Sequence, residues 1–209
     1  MSSKPASIAV SASIAALLLS GGAYAASDSR TETNRAACAG MTPPGLAPPD
    51  GNELAFELFA EGVQIYTCTP PAGAAGGPPA WTLKAPEAAL VDSHGVSSGR
   101  HGGGPTWEAP DGSSVVAAKV GSVAADPSSV PWLLLRATSH AGGGGRMADV
   151  TYVQRRDTSG GIAPAEGCSA ASLGAMARVP YRAVYCFYRR AGGRSGTGST
   201  TSASSGKRS

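Results

Sequence analysis

The sequence predicts an all-β, single-domain protein: an antiparallel β-sandwich or barrel with long Gly/Pro-rich loops. Three observations carry this prediction. Short runs of β-branched and aromatic residues recur between turn signals. No sustained helical stripe of apolar residues interrupts them. The 209 residues include 29 glycines and 16 prolines, which punctuate the chain at intervals suited to strands. No internal repeat of fixed period is present.

The amino terminus has the three parts of a cleaved secretory signal over residues 1–25. Lys4 gives a short positive segment, residues 8–19 form an uncharged apolar stretch, and Ala23-Tyr24-Ala25 fits the small-x-small cleavage rule. The apolar stretch runs into Ser20-Gly21-Gly22 before reaching the ~20 residues that a bilayer span requires. The first cysteine, Cys38, lies too far beyond it for a lipoprotein, and no later segment is apolar for long enough to cross a membrane. The expected location is secreted, periplasmic or extracellular.

Residues 26–51 read as an irregular segment, because Pro43, Pro44, Pro48 and Pro49 interrupt any hydrogen-bonded ladder. A β domain is expected over 52–190. Its first strands, 53–60 and 63–69, are joined in this reading by a tight turn at Glu61-Gly62. A Pro/Gly/Ala loop over 69–79 leads to a third strand at 81–84. Residues 93–105 are expected to be a second loop. Trp107-Glu108-Ala109 and 114–120 flank Pro110-Asp111-Gly112, where Pro presets one dihedral and Gly accepts positive φ. Residues 130–140 contain Trp132-Leu133-Leu134-Leu135, a run suited to a strand buried on both faces. After a short loop at 141–145, residues 149–156 alternate, with Val150, Tyr152 and Gln154 facing one way and Thr151, Val153 and Arg155 the other. Residues 179–188 close the series. The tail, 191–209, has no large apolar residue to repay its ordering entropy and reads as disordered.

The formal net charge of +3 is unevenly placed. Between Ala26 and Tyr188 there are 11 basic and 14 acidic residues, so the body is negative and the excess positive charge sits at the two ends. A nucleic-acid binder concentrates positive charge on its folded face, and this pattern excludes that class. The four cysteines, Cys38, Cys68, Cys168 and Cys186, form no C-x-x-C or Cys/His pair with metal-ligand spacing. In an exported chain an even number predicts disulfides, with three connectivities open. No metal or other cofactor is implied.

Three motif look-alikes fail on context. Gly95-Val96-Ser97-Ser98-Gly99 spells a hydrolase elbow and His101-Gly102-Gly103-Gly104 an oxyanion loop, but they abut in one Gly/Ser-rich segment in reversed order, with no helix following. Gly143-Gly144-Gly145-Arg146-Met147-Ala148 matches a dinucleotide fingerprint, yet Asp149-Val150-Thr151-Tyr152-Val153 after it is strand-like where a helix is required. The remaining chemistry candidates are His94, His101 and His140, with Asp92, Glu108 and Asp111 nearby. Without ligand spacing they read as loop residues that bond turn backbone. Trp132 belongs to the core. Trp81 and Trp107 are assigned to packing too, though their places beside loops would let an exposed ring stack on a sugar or other ligand.

Several blocks together carry a resemblance. They are Asn52-Glu53-Leu54-Ala55-Phe56, Gly62-Val63-Gln64-Ile65-Tyr66-Thr67-Cys68, Gly104-Pro105-Thr106-Trp107, Pro131-Trp132-Leu133-Leu134-Leu135, Val150-Thr151-Tyr152-Val153-Gln154-Arg155 and Val179-Pro180-Tyr181-Arg182-Ala183. In this order they resemble the bacterial and fungal family called domain of unknown function 3455 (DUF3455). The resemblance spans residues 52–188 and implies a secreted single domain without assigned catalytic residues. Cys68 and Cys168 fall where such proteins tend to carry cysteine, which implies the pairs Cys68–Cys168 and Cys38–Cys186.

The functional expectation is a non-enzymatic module that binds a small molecule or glycan through rim loops, using His101, Trp107, Trp81 and Asp92. One alternative is a metal-assisted or acid–base enzyme built on His101 with Asp92 or Asp111. Another is a structural or stress-related envelope protein. The signal reading is checked by intact-mass analysis of exported protein. The mature chain is expected to begin at Ala26, and a retained segment 1–25 would refute it.

Overall fold

The computed structural model describes residues 38–71 and 76–192. Its strands are β1 (Asn52–Thr69), β2 (Ala80–Val91), β3 (Ser97–Gly102), β4 (Thr106–Glu108), β5 (Ser114–Val123), β6 (Trp132–Ala141), β7 (Val150–Gly160) and β8 (Met176–Arg190), with one short 3-10 turn at Ala170–Ser172. Each strand pairs antiparallel with the next, and β8 returns to β1, so the sheet closes into an eight-stranded up-and-down barrel. Between the two architectures the sequence allowed, the closed one is adopted.

β1 corrects the expected turn at Glu61-Gly62. Gly62 lies within one continuous 18-residue strand, paired with Ala88 of β2 on one side and Tyr181 of β8 on the other. A Cβ there would collide with the Glu87 carbonyl and with Ala88, so this glycine permits a close approach of two strands where the sequence suggested a bend. The expected loop at 93–105 is also corrected, because Ser97–Gly102 forms β3 between β2 and β4. Its Gly, Ser and His content is poor in strand formers, and neighbours on both sides supply the pairing that propensity does not. On β7 a register shift between Val150 and Tyr152 moves Val150 to the same face as Val153 and Arg155.

The barrel interior holds the main core, including Leu58, Leu90, Trp107, Val115, Leu135, Met147, Val153, Tyr185 and Phe187. A second cluster, Cys38, Val184, Cys186 and Tyr188 with Phe59 and Tyr152, packs outside the wall. Alternate residues of β8 thus serve different cores: Ala183, Tyr185 and Phe187 point in, while Val184, Cys186 and Tyr188 point out.

The outer cluster exists because the Pro-rich segment before β1 lies across the barrel as a strap. Leu46 is fully buried, Gln154 Nε2 donates to its carbonyl at 2.8 Å, and Arg156 Nη2 donates to the Met41 carbonyl at 3.0 Å. Disulfides join Cys38 to Cys186 and Cys68 to Cys168. The first fastens the strap to β8. The second fastens the β7–β8 connection to the end of β1, where Cys68 N–H and C=O also bond Ala175 and Gly174. The tail expected to be disordered lies outside the described residues, apart from 191–192. Because the Cys38–Cys186 pair spans 148 residues, the double variant C38A/C186A is expected to lose about 2–4 kcal/mol in urea unfolding. An unchanged midpoint would show that the strap holds without its bridge.

Candidate functional site

The two ends of the barrel are filled differently. At the end bearing the β2–β3, β4–β5 and β6–β7 connections, Met147 is fully buried and its N–H donates to Ser113 Oγ at 3.1 Å. Arg146 lies over the Phe56 ring at 4.4 Å, and Phe56 stacks on Phe187 at 4.6 Å. From Phe187 the aromatic packing continues edge-on to Trp107, then to Tyr185 and His101. This end is closed by apolar contact.

Toward the opposite end the interior opens into a cavity of about 550 Å³. Its approach follows from strand length. β3 and β4 stop short, so β2 pairs with β3 only over Ala88–Val91, and β5 pairs with β4 only over Ser114–Val116. The remainders of β2 and β5 flank a notch beside the Gly103-Gly104-Pro105 turn, and Leu83, Lys84, Ala85, Pro86 and Lys119 line it. Leu83 is 51% exposed there, an uncovered apolar side chain at the mouth of a cavity.

The walls carry an unusual amount of buried polarity. His101 Nδ1–H donates to the Thr106 carbonyl at 2.9 Å, which leaves Nε2 as an acceptor in the neutral ring, and the ring stacks on Trp107 at 4.5 Å. Burial holds the His101 pKa down to about 4, and the charge of Arg155 adds to that, against support from Thr106. Arg155 is 8% exposed; its Nε and Nη2 donate to the Pro131 carbonyl at 3.0 and 2.8 Å. The field of Arg155 reaches His101 and also Tyr66, Tyr181 and Tyr185; burial pushes these three phenols up, and Arg155 opposes that. Tyr66 donates to the Gly161 carbonyl at 2.6 Å. Two fully buried lining residues, Gln64 and Trp107, each leave a side-chain nitrogen, Nε2 and Nε1, without a hydrogen-bond partner among the described residues.

Two of the four binding candidates from sequence, His101 and Trp107, meet in this cavity wall. They are interior rather than on a rim loop, because each sits on a strand at an inward position. The other two lie elsewhere. Asp92 accepts from His94 N–H and Val96 N–H in the β2–β3 turn, and these bonds hold its carboxyl below the usual range. Trp81 Nε1 donates to the Glu166 carbonyl and so packs against the β7–β8 connection. The alternative pairing of His101 with Asp92 or Asp111 is not assembled. In the β4–β5 turn Asp111 accepts from Ser113 and from the Arg146 N–H, and among the described residues no carboxylate bears on the His101 ring. His94 and His140 are exposed, the latter bonded to the Val150 carbonyl at 2.7 Å. Among the described residues no group of three His, Cys, Asp or Glu is placed to hold a metal ion. The look-alike glycine motifs occupy strand-to-strand connections or strand ends.

Sequence reading missed Gln64, Tyr66, Tyr185 and above all Arg155. One signal was available: Arg155 shares the alternation of Val153, so a charged residue stood on the face that also carried the apolar one. A second hollow, about 650 Å³, lies over β1, β2, β7 and β8, where Glu61 and Arg182 pair with each other at 2.7 Å. None of the side-chain nitrogens left unpaired belongs to a residue lining it.

The His101 shift has a stability consequence. The folded ring resists protonation while the unfolded one titrates near 6.5, so between these values the unfolded chain binds more protons. The stabilisation is complete above pH 6.5 and is lost as pH falls toward 4, amounting to about 3 kcal/mol. Asp92 and Asp111, held below their usual range, lose their contribution only at lower pH. Urea unfolding at pH 7.5 and 4.5 is expected to show the loss in the wild type and a flattened profile in His101→Phe. An equal slope in both would assign the effect to other groups.

No curated protein and no solved structure matches the chain. The family model described as protein of unknown function (DUF3455) matches residues 48–189, from the end of the strap to the end of β8, and the chain belongs to that family.

Proposed function

We propose that the protein is a secreted binding module that takes a small molecule into the barrel cavity. The supporting observation is the 550 Å³ cavity behind the β3–β4 notch, a volume within the range of ligand pockets. An eight-stranded barrel has room either for side chains or for one small ligand, and here the aromatic packing fills only part of the interior. The wall is mainly apolar, with Leu83, Pro86, Val130, Leu133, Leu135 and Trp107, and it carries a few polar groups able to orient a guest. The two disulfides agree with an oxidising location outside the cytoplasm.

This reading moves the expected site from the rim loops to the interior. A glycan stacking on exposed tryptophan gains no support from Trp107, which is 1% exposed. Acid–base catalysis gains none from His101, which has no carboxylate among the described residues to orient or recharge it.

A thermal-shift screen of small amphipathic molecules, run beside a glycan array, tests the proposal. Binders are expected to raise the melting temperature with concentration at one-to-one stoichiometry. They are also expected to change the emission of Trp107 in the variant W81F/W132F. A screen without binders would refute the proposal, and binders that leave Trp107 emission unchanged would place the site elsewhere.

A further inference from the structure

Resting on the reading of the cavity as a binding site, we infer that its ligand is an amphipathic carboxylate, with its anionic head on Arg155 and its apolar body along Leu133, Leu135 and Trp107. The charge inventory of the wall carries this inference. The lining includes three basic side chains, Arg155, Lys84 and Lys119, and no acidic one. The body of the chain between Ala26 and Tyr188 nevertheless has more acidic than basic residues, so the positive lining runs against the composition around it.

Arg155 is the centre of the argument. Several arginines of the outer wall have carboxylate partners: Arg100 with Glu108, Arg178 with Glu87, Arg182 with Glu61 and Arg189 with Glu53. Two arginines are buried, Arg155 and Arg156, and neither has an ion pair among the described residues. Arg156 reaches the strap carbonyls of Gly40 and Met41 outside the wall, so Arg155 is the uncompensated cation that faces the cavity. Its two bonds to the Pro131 carbonyl and its hydrogen bond to the Tyr185 phenol fix the guanidinium without neutralising it, since both partners are uncharged. A guanidinium has five N–H donors, so a fixed one with donors to spare is prepared for a carboxylate.

The rest of the wall fits the same guest. The Trp107 indole is a donor only and has no acceptor among the described residues, and Gln64 Nε2 is a second such donor. The neutral His101 ring avoids adding a second fixed positive charge beside the guanidinium. At the mouth, Lys119 and Lys84 are exposed and place positive charge where an anion approaches, which raises the association rate at low salt. Leu83 adds apolar surface at the same mouth for the trailing part of the ligand.

Matched probes separate this inference from the binding reading beneath it. Decanoate and 2-naphthoate are titrated at pH 7.5 against decanol, 2-naphthalenemethanol and decylamine, with Trp107 emission in W81F/W132F and thermal shift as readouts. At least one carboxylate is expected to bind about tenfold or more tighter than its alcohol, and the amine to bind weakest. The preference is expected to weaken as salt rises. Arg155→Met is expected to abolish the preference while keeping alcohol binding, and Arg155→Lys to retain part of it. Should Arg155→Met fail to fold, the wild-type carboxylate-to-alcohol ratio still decides. Alcohols that bind as tightly as carboxylates would overturn the anion inference and leave the cavity reading standing. No binding by any probe would overturn both.

Discussion

The pairing of β8 with β1 is the constraint on which the rest of the molecule depends. Without it the eight strands would be an open meander with two exposed edges, and there would be no interior to fill. Closure is secured along nearly the whole of both strands, from Asn52 opposite Arg190 to Thr67 opposite Met176. It requires β1 to remain one strand through Gly62, because a turn there would detach half of it from both neighbours. The missing side chain at Gly62 lets the β2 backbone come close enough to keep the ladder unbroken.

Once closed, the barrel has an inside whose two halves obey different physics. In one half Phe56, Phe187, Trp107 and Tyr185 pack in stacked and edge-on contacts, and Met147 seals the end. In the other, Arg155 and His101 sit among tyrosines beside open volume. The two groups differ in how readily they give up a proton. Imidazole loses its proton, since its ordinary pKa is near neutrality and desolvation outweighs its one carbonyl partner. Guanidinium keeps its charge under any ordinary condition. The buried wall of the cavity therefore has one fixed positive centre, Arg155, against neutral aromatic rings, with Lys84 and Lys119 exposed at the mouth.

The strap shows how a chain with a narrow barrel enlarges its core. Val184, Cys186 and Tyr188 would present apolar surface outward on β8 if nothing covered them. Residues 38–51 cover this side of the barrel, with Leu46 buried, the Cys38 bridge at one end and hydrogen bonds from Gln154 and Arg156 to strap carbonyls between. The prolines that prevent this segment from pairing as a ninth strand are thus compatible with its role. A segment without a ladder of its own offers free carbonyls to side chains projecting from the wall.

By itself the sequence determined the all-β class, the Pro110-Asp111-Gly112 turn, the positions of most strands and the irregular character of the segment before β1. These follow from local chemistry: β-branched runs, dihedral preferences and proline's missing donor. It did not determine barrel against sandwich, because alternation marks an inward face without saying which strands share that inside. It misread Gly62, since a glycine that permits a turn and one that permits a close approach look alike without the neighbouring strand. It placed Val150 on the wrong face because a bulge is a property of the pair. Of the site, His101 and Trp107 were legible as chemically notable residues, but their rings meet Tyr185 and Arg155 only through long-range pairing. Tertiary structure alone decided that a histidine, a tryptophan and an arginine far apart in sequence line one cavity, since a barrel interior is assembled from every strand at once.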